Sequence, residues 1–267
     1  GKINKIINGA TDWVYEEEFS IHKGFEWSPD GKKLAYYVFD ETDVKEFQMK
    51  MYGSLYPTHY KFKYPKAGED NSLISIRIFD TQYDRHFVFD VGNNPDIYIP
   101  RIMWSKRRDE LIVFKMNRLQ NKLELLSGTF SMDTPNNIGI KTKPIYTEKC
   151  TTYIDIHDNT SFINENEFIW TSEKDGYNHI YLINYANGTE KQLTSGDWDV
   201  TEVYGYTSQS KKIFFQAAKS HPTKREIYAL HTKNNKIELL TEKSGTNEAN
   251  FSKTFNYFIN THSSADT

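Results

Sequence analysis

The sequence predicts an all-β fold, a β-propeller of about five blades, on three observations. Its apolar residues fall in short β-branched and aromatic runs, turn-forming residues separate those runs, and two patterns recur at intervals the length of a blade.

The runs include Leu34-Ala35-Tyr36-Tyr37-Val38-Phe39, Ile74-Ser75-Ile76-Arg77-Ile78-Phe79 and Lys212-Ile213-Phe214-Phe215-Gln216. Each has the composition of a half-buried pleated strand. Between such runs stand Pro29-Asp30-Gly31, Asp175-Gly176, Asn187-Gly188 and Asn234-Asn235, which tolerate the backbone angles of tight turns. No stretch of helical length keeps a 3.6-residue period.

The first repeat relates His179-Ile180-Tyr181-Leu182 to Glu226-Ile227-Tyr228-Ala229, and Gln192-Leu193-Thr194 to Leu239-Leu240-Thr241. Ile180 and Ile227, like Leu193 and Leu240, are 47 residues apart. The second repeat is an aromatic residue, a Ser or Thr, a turn and an apolar strand. It runs from Trp27-Ser28 to Leu34, from Trp104-Ser105 to Leu111, from Tyr206-Thr207 to Ile213, and from Phe251-Ser252 to Tyr257.

Such an interval holds about four short strands. A four-stranded blade exposes two faces, and stacking blades around an axis covers both while leaving only short edges. A solenoid or a sandwich accounts less well for this spacing, and the Gly-His and Trp-Asp pair of WD40 repeats is missing. The 77 residues between Trp27 and Trp104 exceed one blade, so Asp40–Asn71 must hold an insertion. No linker composition marks a boundary, and residues 1–267 are expected to form one domain.

Composition narrows the function. With 33 basic and 36 acidic residues the net charge is −3, which gives no basic surface for nucleic acid. Aromatic residues make up 15% of the chain, which marks it as folded. A single cysteine, Cys150, excludes internal disulfides, a redox pair and a multi-cysteine zinc site. No apolar run approaches the roughly 20 residues of a membrane span. No secretion signal opens the sequence, and Gly1-Lys2-Ile3-Asn4 reads like a cut inside a longer polypeptide.

A Gly-x-Ser-x-Gly elbow, a P-loop, a G-x-G-x-x-G fingerprint and an H-E-x-x-H pair are all missing. The eight histidines show no metal-ligand spacing. Hence no catalytic residue, metal or cofactor is expected in this stretch. His157-Asp158 reads as a polar loop, and the sequons at Asn159, Asn187 and Asn250 read as chance matches.

One constellation stands apart: Asp12-Trp13-Val14-Tyr15-Glu16-Glu17-Glu18-Phe19. A regular strand would send neighbouring glutamates to opposite faces. For two of them to meet one ligand, the backbone must turn or form a short helical piece. Crowded carboxylates repel each other unless a cation sits among them, and a substrate ammonium or an arginine would supply it. The residues alone leave open a cation site or an exposed acidic turn.

Thr11-Asp12-Trp13-Val14-Tyr15-Glu16-Glu17-Glu18 closely resembles the double-glutamate motif of the dipeptidyl peptidase IV family of serine peptidases. The resemblance continues in Trp27-Ser28-Pro29-Asp30-Gly31, Tyr64-Pro65-Lys66-Ala67-Gly68, Arg118-Leu119-Gln120-Asn121 and Ser172-Glu173-Lys174-Asp175-Gly176-Tyr177, in the family's order and over most of the chain. It implies the middle and later blades of an eight-bladed propeller, with the α/β-hydrolase domain and its catalytic triad outside this stretch.

By the same resemblance, Glu17 and Glu18 would grip the free α-ammonium of a peptide substrate. Glu16 would support them, and Trp13 and Tyr15 would pack the turn that presents them. The parent enzyme would release N-terminal dipeptides with Pro or Ala second. The family's arginine beside the glutamates would precede Gly1. A further pocket arginine would fall near Ile154–Asp158, where this sequence has Asp155, His157 and Asp158.

The inserted segment, about residues 40–64, resembles an arm that leaves the propeller to help form a homodimer; a hairpin folded on its own domain is the simpler alternative. The Lys-, Asn- and Ile-rich composition suggests a bacterial parent, periplasmic, in the cell envelope or secreted. The alternatives to a dipeptidyl peptidase are a non-catalytic peptide-binding or scaffolding propeller and a propeller-bearing endopeptidase.

Overall fold

The computed structural model describes residues 5–106, 110–134 and 137–265, so the opening Gly1-Lys2-Ile3-Asn4 lies outside the described residues. The chain divides into two compact units, Gly1–Ile156 and His157–Thr267.

In the first unit β1 (Ile6–Asn8) is followed by α1 (Trp13–Phe19), β2 (Phe25–Trp27) and β3 (Lys33–Asp40). Then come β4 (Glu46–Met51), β5 (Thr58–Lys63), β6 (Leu73–Asp80) and β7 (Arg85–Val88). β1 and β2 share one edge of β3: Ile6–Asn8 pair with Asp40–Val38, and Phe25–Trp27 with Tyr36–Leu34. β6 takes the other edge of β3, with β7 beyond it. The first position of this sheet is therefore one interrupted strand, and residues 9–24 leave it as an excursion carrying α1.

The excursion is pinched at its base. Gly9 N–H donates to the Tyr37 carbonyl (3.0 Å), and Tyr37 N–H donates to the Gly24 carbonyl (2.9 Å). A Cβ on Gly24 would stand 2.7 Å from the Ala10 carbonyl oxygen, so the two stems approach too closely for any side chain.

β4 and β5 form a two-stranded hairpin of their own between β3 and β6, within the expected insertion. The second sheet of the unit runs β8 (Ile97–Trp104), β9 (Glu110–Asn117), β10 (Lys122–Thr134) and β11 (Asn137–Lys149), paired in chain order.

The second unit holds β12 (Ser161–Phe162), β13 (Glu167–Ser172), β14 (His179–Asn184) and β15 (Glu190–Gln192) in one sheet. Its next sheet is β16 (Val200–Thr207), β17 (Lys212–Ala217), β18 (Glu226–His231) and β19 (Ile237–Leu239). A two-stranded sheet, β20 (Thr246–Phe251) and β21 (Phe258–Ser263), follows.

The 47-residue repeat has a structural counterpart. Leu193 N–H donates to the Ile180 carbonyl and Leu240 N–H to the Ile227 carbonyl, both at 2.8 Å, at the same position of successive sheets. In three of its copies the aromatic–Ser repeat closes the first hairpin of a sheet: the Ser28, Ser105 and Ser252 N–H groups donate to the Lys33, Glu110 and Tyr257 carbonyls at 2.8–3.0 Å. Ile169, Ile180 and Leu193 of one sheet pack with Trp198, Ile213, Phe215 and Tyr228 of the next, which is how stacked sheets bury the faces that neither covers alone.

The Pro29-Asp30-Gly31 turn forms with Gly31 at φ 71°. His157-Asp158 lies outside strands, but the loop is not simply polar: the His157 ring packs 4.4 Å from Trp170, edge to face. At the first sequon, Asn159 donates through Nδ2 to Thr171 Oγ1 and accepts through Oδ1 from Val203 N–H.

Candidate functional site

The three glutamates lie in a helix, the short helical piece their spacing requires. Asp12 caps its N-terminus: the backbone is extended (φ −81°, ψ 176°), and Oδ1 accepts from Tyr15 N–H at 3.0 Å. Its other oxygen accepts from Ser72 Oγ at 2.5 Å, tying the cap to the start of β6. Burial raises the Asp12 carboxyl above its ordinary value, and the bonds from Ser72 and the Tyr15 backbone offset part of that rise. Glu41, also buried, is raised by burial and then by the charge of Asp12.

At the other end Ser20 takes the left-handed conformation (φ 53°, ψ 36°), and Ile21 N–H returns to the Tyr15 carbonyl at 3.1 Å. The helix has only seven residues, too few to persist alone in water. It holds by burying Val14, Tyr15 and Phe19. The Tyr15 ring meets Phe39 (4.8 Å), Phe19 (5.2 Å) and Tyr98 (6.1 Å), and Phe19 meets Tyr98 (5.3 Å). Trp13 is half-buried against Tyr64, with ring centroids 4.2 Å apart.

Glu16, Glu17 and Glu18 are all exposed. They differ in company. His22 Nδ1 lies 3.9 Å from Glu16 Oε1, whereas among the described residues no cation pairs with Glu17 or Glu18.

Two further groups belong to this surface. Tyr153 is 54% exposed, and its phenol is raised by partial desolvation, then by the negative charges of Asp155 and Glu18. Sequence reasoning missed Tyr153; it stands just before the segment where the resemblance implied an arginine. That segment brings a carboxylate, Asp155, instead.

The motifs around the helix also find places. Arg118 donates to the Glu69 carbonyl (3.1 Å) and to Asp96 Oδ1 (3.2 Å), and the Gln120 carbonyl accepts from Ile154 N–H (2.8 Å) beside Tyr153. Tyr64, Lys66 and Ala67, with Trp13, Phe47, Met49 and Phe62, line a cleft of about 660 Å3 at the root of the β4–β5 hairpin. Further out the hairpin exposes Tyr52 (78%), Leu55 (91%) and Tyr56 (80%).

Among the described residues no group of three or more His, Cys, Asp or Glu is arranged to hold a metal ion, and no helix is long and apolar enough to cross a membrane.

All 267 residues match the family described as dipeptidyl peptidase IV (DPP IV) N-terminal region. The chain is 32% identical over 247 residues to prolyl endopeptidase FAP of Bos taurus, covering 86% of this chain and 32% of the relative. It is 28% identical over 272 residues to dipeptidyl peptidase 4 of Trichophyton equinum, covering 95% of this chain and 34% of the relative. The crystal structure of Porphyromonas gingivalis dipeptidyl peptidase 4 superposes with a TM-score of 0.90 at 39% identity, over 100% of this chain and 37% of that one. The chain thus spans about a third of the length of the relatives it matches.

The fold class is the all-β propeller expected from the repeats, about five blades, of which four sheets fill every strand position and one has two strands among the described residues. With its full length matched and its acidic motif folded into the helix α1, the chain belongs to the dipeptidyl peptidase IV family and corresponds to its N-terminal region.

Proposed function

We propose that this chain is the substrate-recognising propeller of a dipeptidyl-peptidase-type serine exopeptidase, in which Glu17 and Glu18 grip the α-ammonium of a peptide. The observation that carries this is the pair itself: two exposed carboxylates, unmatched by any cation among the described residues, on a helix anchored through buried side chains. Two carboxylates that converge on one ligand repel each other, and a ligand cation relieves the repulsion. Asp155 adds to the negative potential, and Tyr153 stands within the field of Glu18.

The ammonium has a reference pKa near 8, and adjacent carboxylates raise it, so the bound amine is charged at neutral pH. Fixing the amine fixes which peptide bond reaches a serine in the hydrolase domain of the same polypeptide, about two residues along. Binding away from the scissile bond thereby becomes positioning of that bond. Dipeptides with Pro or Ala second are the proposed products. Glu16, with His22 3.9 Å away, supports the pair. The β4–β5 arm, with Tyr52, Leu55 and Tyr56 outward, is the proposed homodimer surface. A bacterial parent working in the periplasm, at the envelope or outside the cell completes the reading.

In the complete protein, replacing Glu17 and Glu18 together by Ala should abolish dipeptide release while leaving the fold intact; near-normal kcat/KM would sink the assignment.

A second reading has one specific observation behind it: the bovine relative is named an endopeptidase. An endopeptidase cleaves within a chain and has no need of the free amine, so blocked and unblocked substrates separate the two. A non-catalytic, scaffolding propeller is the third outcome, and a complete protein lacking a Gly-x-Ser-x-Gly elbow after this region would establish it.

A further inference from the structure

A seven-residue helix needs an external mount, and four consecutive residues of β8 supply part of the mount for α1, beside Phe39 of β3 and the Ser72 bond to the cap. In the β8–β9 ladder Tyr98 pairs with Met116 and Arg101 with Phe114. β8 thus carries one residue more than β9 across this step, a β-bulge that leaves Ile99 and Pro100 without ladder partners.

Each residue of the bulge then has a part in holding the helix. The Ile99 N–H, freed from the ladder, donates to Tyr15 Oη at 2.9 Å. Pro100 has no N–H to leave unsatisfied, and its carbonyl accepts from Arg101 Nη1 at 2.7 Å. That same Nη1 donates to the Phe19 carbonyl at 2.8 Å, placing a cation on the C-terminal end of α1, where the helix dipole favours positive charge. The Tyr98 ring packs on both Tyr15 and Phe19. The helix is therefore gripped at its first turn and its C-terminus, through Tyr15 and Phe19, while Glu17 and Glu18 are exposed to solvent.

We propose that the Tyr98–Arg101 bulge is a positioning socket: Tyr15 and Arg101 fix the rotation and end point of α1, and so set how tightly Glu17 and Glu18 bind a substrate ammonium that neither residue touches. This rests on the amine-binding reading of the two glutamates given above. Misplacing a binding group by about 1 Å costs on the order of tenfold or more in function. A bulge next to a functional group commonly re-aims a side chain in this way.

The test uses the complete protein and Gly-Pro-p-nitroanilide. Arg101→Met should raise KM about tenfold with kcat within about twofold of the parent, because ground-state and transition-state binding of the amine weaken together. Arg101→Lys, which keeps a donor for the Phe19 carbonyl, should recover most of the lost affinity. Tyr15→Phe, which keeps the ring and loses only the acceptor, should shift KM in the same sense, and it carries the test if Arg101→Met does not fold.

Ile213→Val, in the second unit, serves as a destabilised control and should leave KM unchanged. If Tyr15→Phe and every folded Arg101 variant keep KM within twofold while Glu17→Gln raises it tenfold, the socket is overturned and the amine reading stands. If Glu17→Gln and Glu18→Gln also leave KM unchanged, the amine reading itself fails and the socket falls with it.

Discussion

Glu16, Glu17 and Glu18 are chemically identical, and their neighbours give them different work. His22 stands 3.9 Å from Glu16, while the other two face solvent without a cation among the described residues. A charge-assisted hydrogen bond contributes about 1.5–3 kcal/mol, so Glu17→Gln or Glu18→Gln should each lower kcat/KM for a free-amine substrate by about 10- to 150-fold, measured by initial rates at neutral pH. A change below about threefold for both would show that neither carboxylate holds the amine. Tyr15 sits deeper, and beside its effect on KM, Tyr15→Phe strands the buried Ile99 N–H, which should cost about 1–3 kcal/mol in urea denaturation of the chain. The paired glutamates were legible in the sequence because three carboxylates between aromatic residues are rare. Tyr153 was not, because its approach to Glu18 depends on the chain returning after four further strands of the second sheet, and no local pattern encodes that return.

As an element, α1 is an interruption of a strand. A seven-residue helix is about two turns, too short to display a 3.6-residue period, so it could be inferred only from what adjacent glutamates need and not from periodicity. Its mount was hidden for another reason: the β8 bulge is a property of register, and Pro100 by itself marks only an edge strand or a bulge without saying which. The stems of the excursion make a sharp prediction. Gly24→Ala would put a Cβ 2.7 Å from a backbone oxygen that has little room to move, and should destabilise the chain by about 2 kcal/mol or more, seen as a lower urea midpoint.

The cap gives a pH-dependent one. The folded-state pKa of Asp12 lies above its unfolded value, so between the two the folded protein binds more protons and stability falls as pH rises through that window. Asp12→Asn keeps a good capping residue and removes the titration. The variant should therefore gain stability relative to the parent at pH 7, and the gain should shrink as pH is lowered through the folded-state pKa toward 3.8. A gain that grows on acidification would contradict this.

Across the whole molecule, the repeats carried the fold class. Equivalent hydrogen bonds at Leu193 and Leu240, and the first hairpins closed by Ser28, Ser105 and Ser252, lie where the sequence patterns put them. The arm was legible as excess length between Trp27 and Trp104, and its hairpin register was not. Exposed Tyr52, Leu55 and Tyr56 should drive self-association of the protein, and replacing all three by Ser should shift it toward monomer in sedimentation velocity.

The central claim, that a helix-borne pair of carboxylates reads the free amine of a peptide, is tested most directly by one ratio. It is kcat/KM for a Xaa-Pro substrate with a free N-terminus over that for its N-acetylated counterpart, measured in the complete protein and in its Glu17→Gln/Glu18→Gln form. The ratio should be at least about a hundred in the parent protein and should collapse toward one in the variant. Equal rates on both substrates in the parent protein would contradict it.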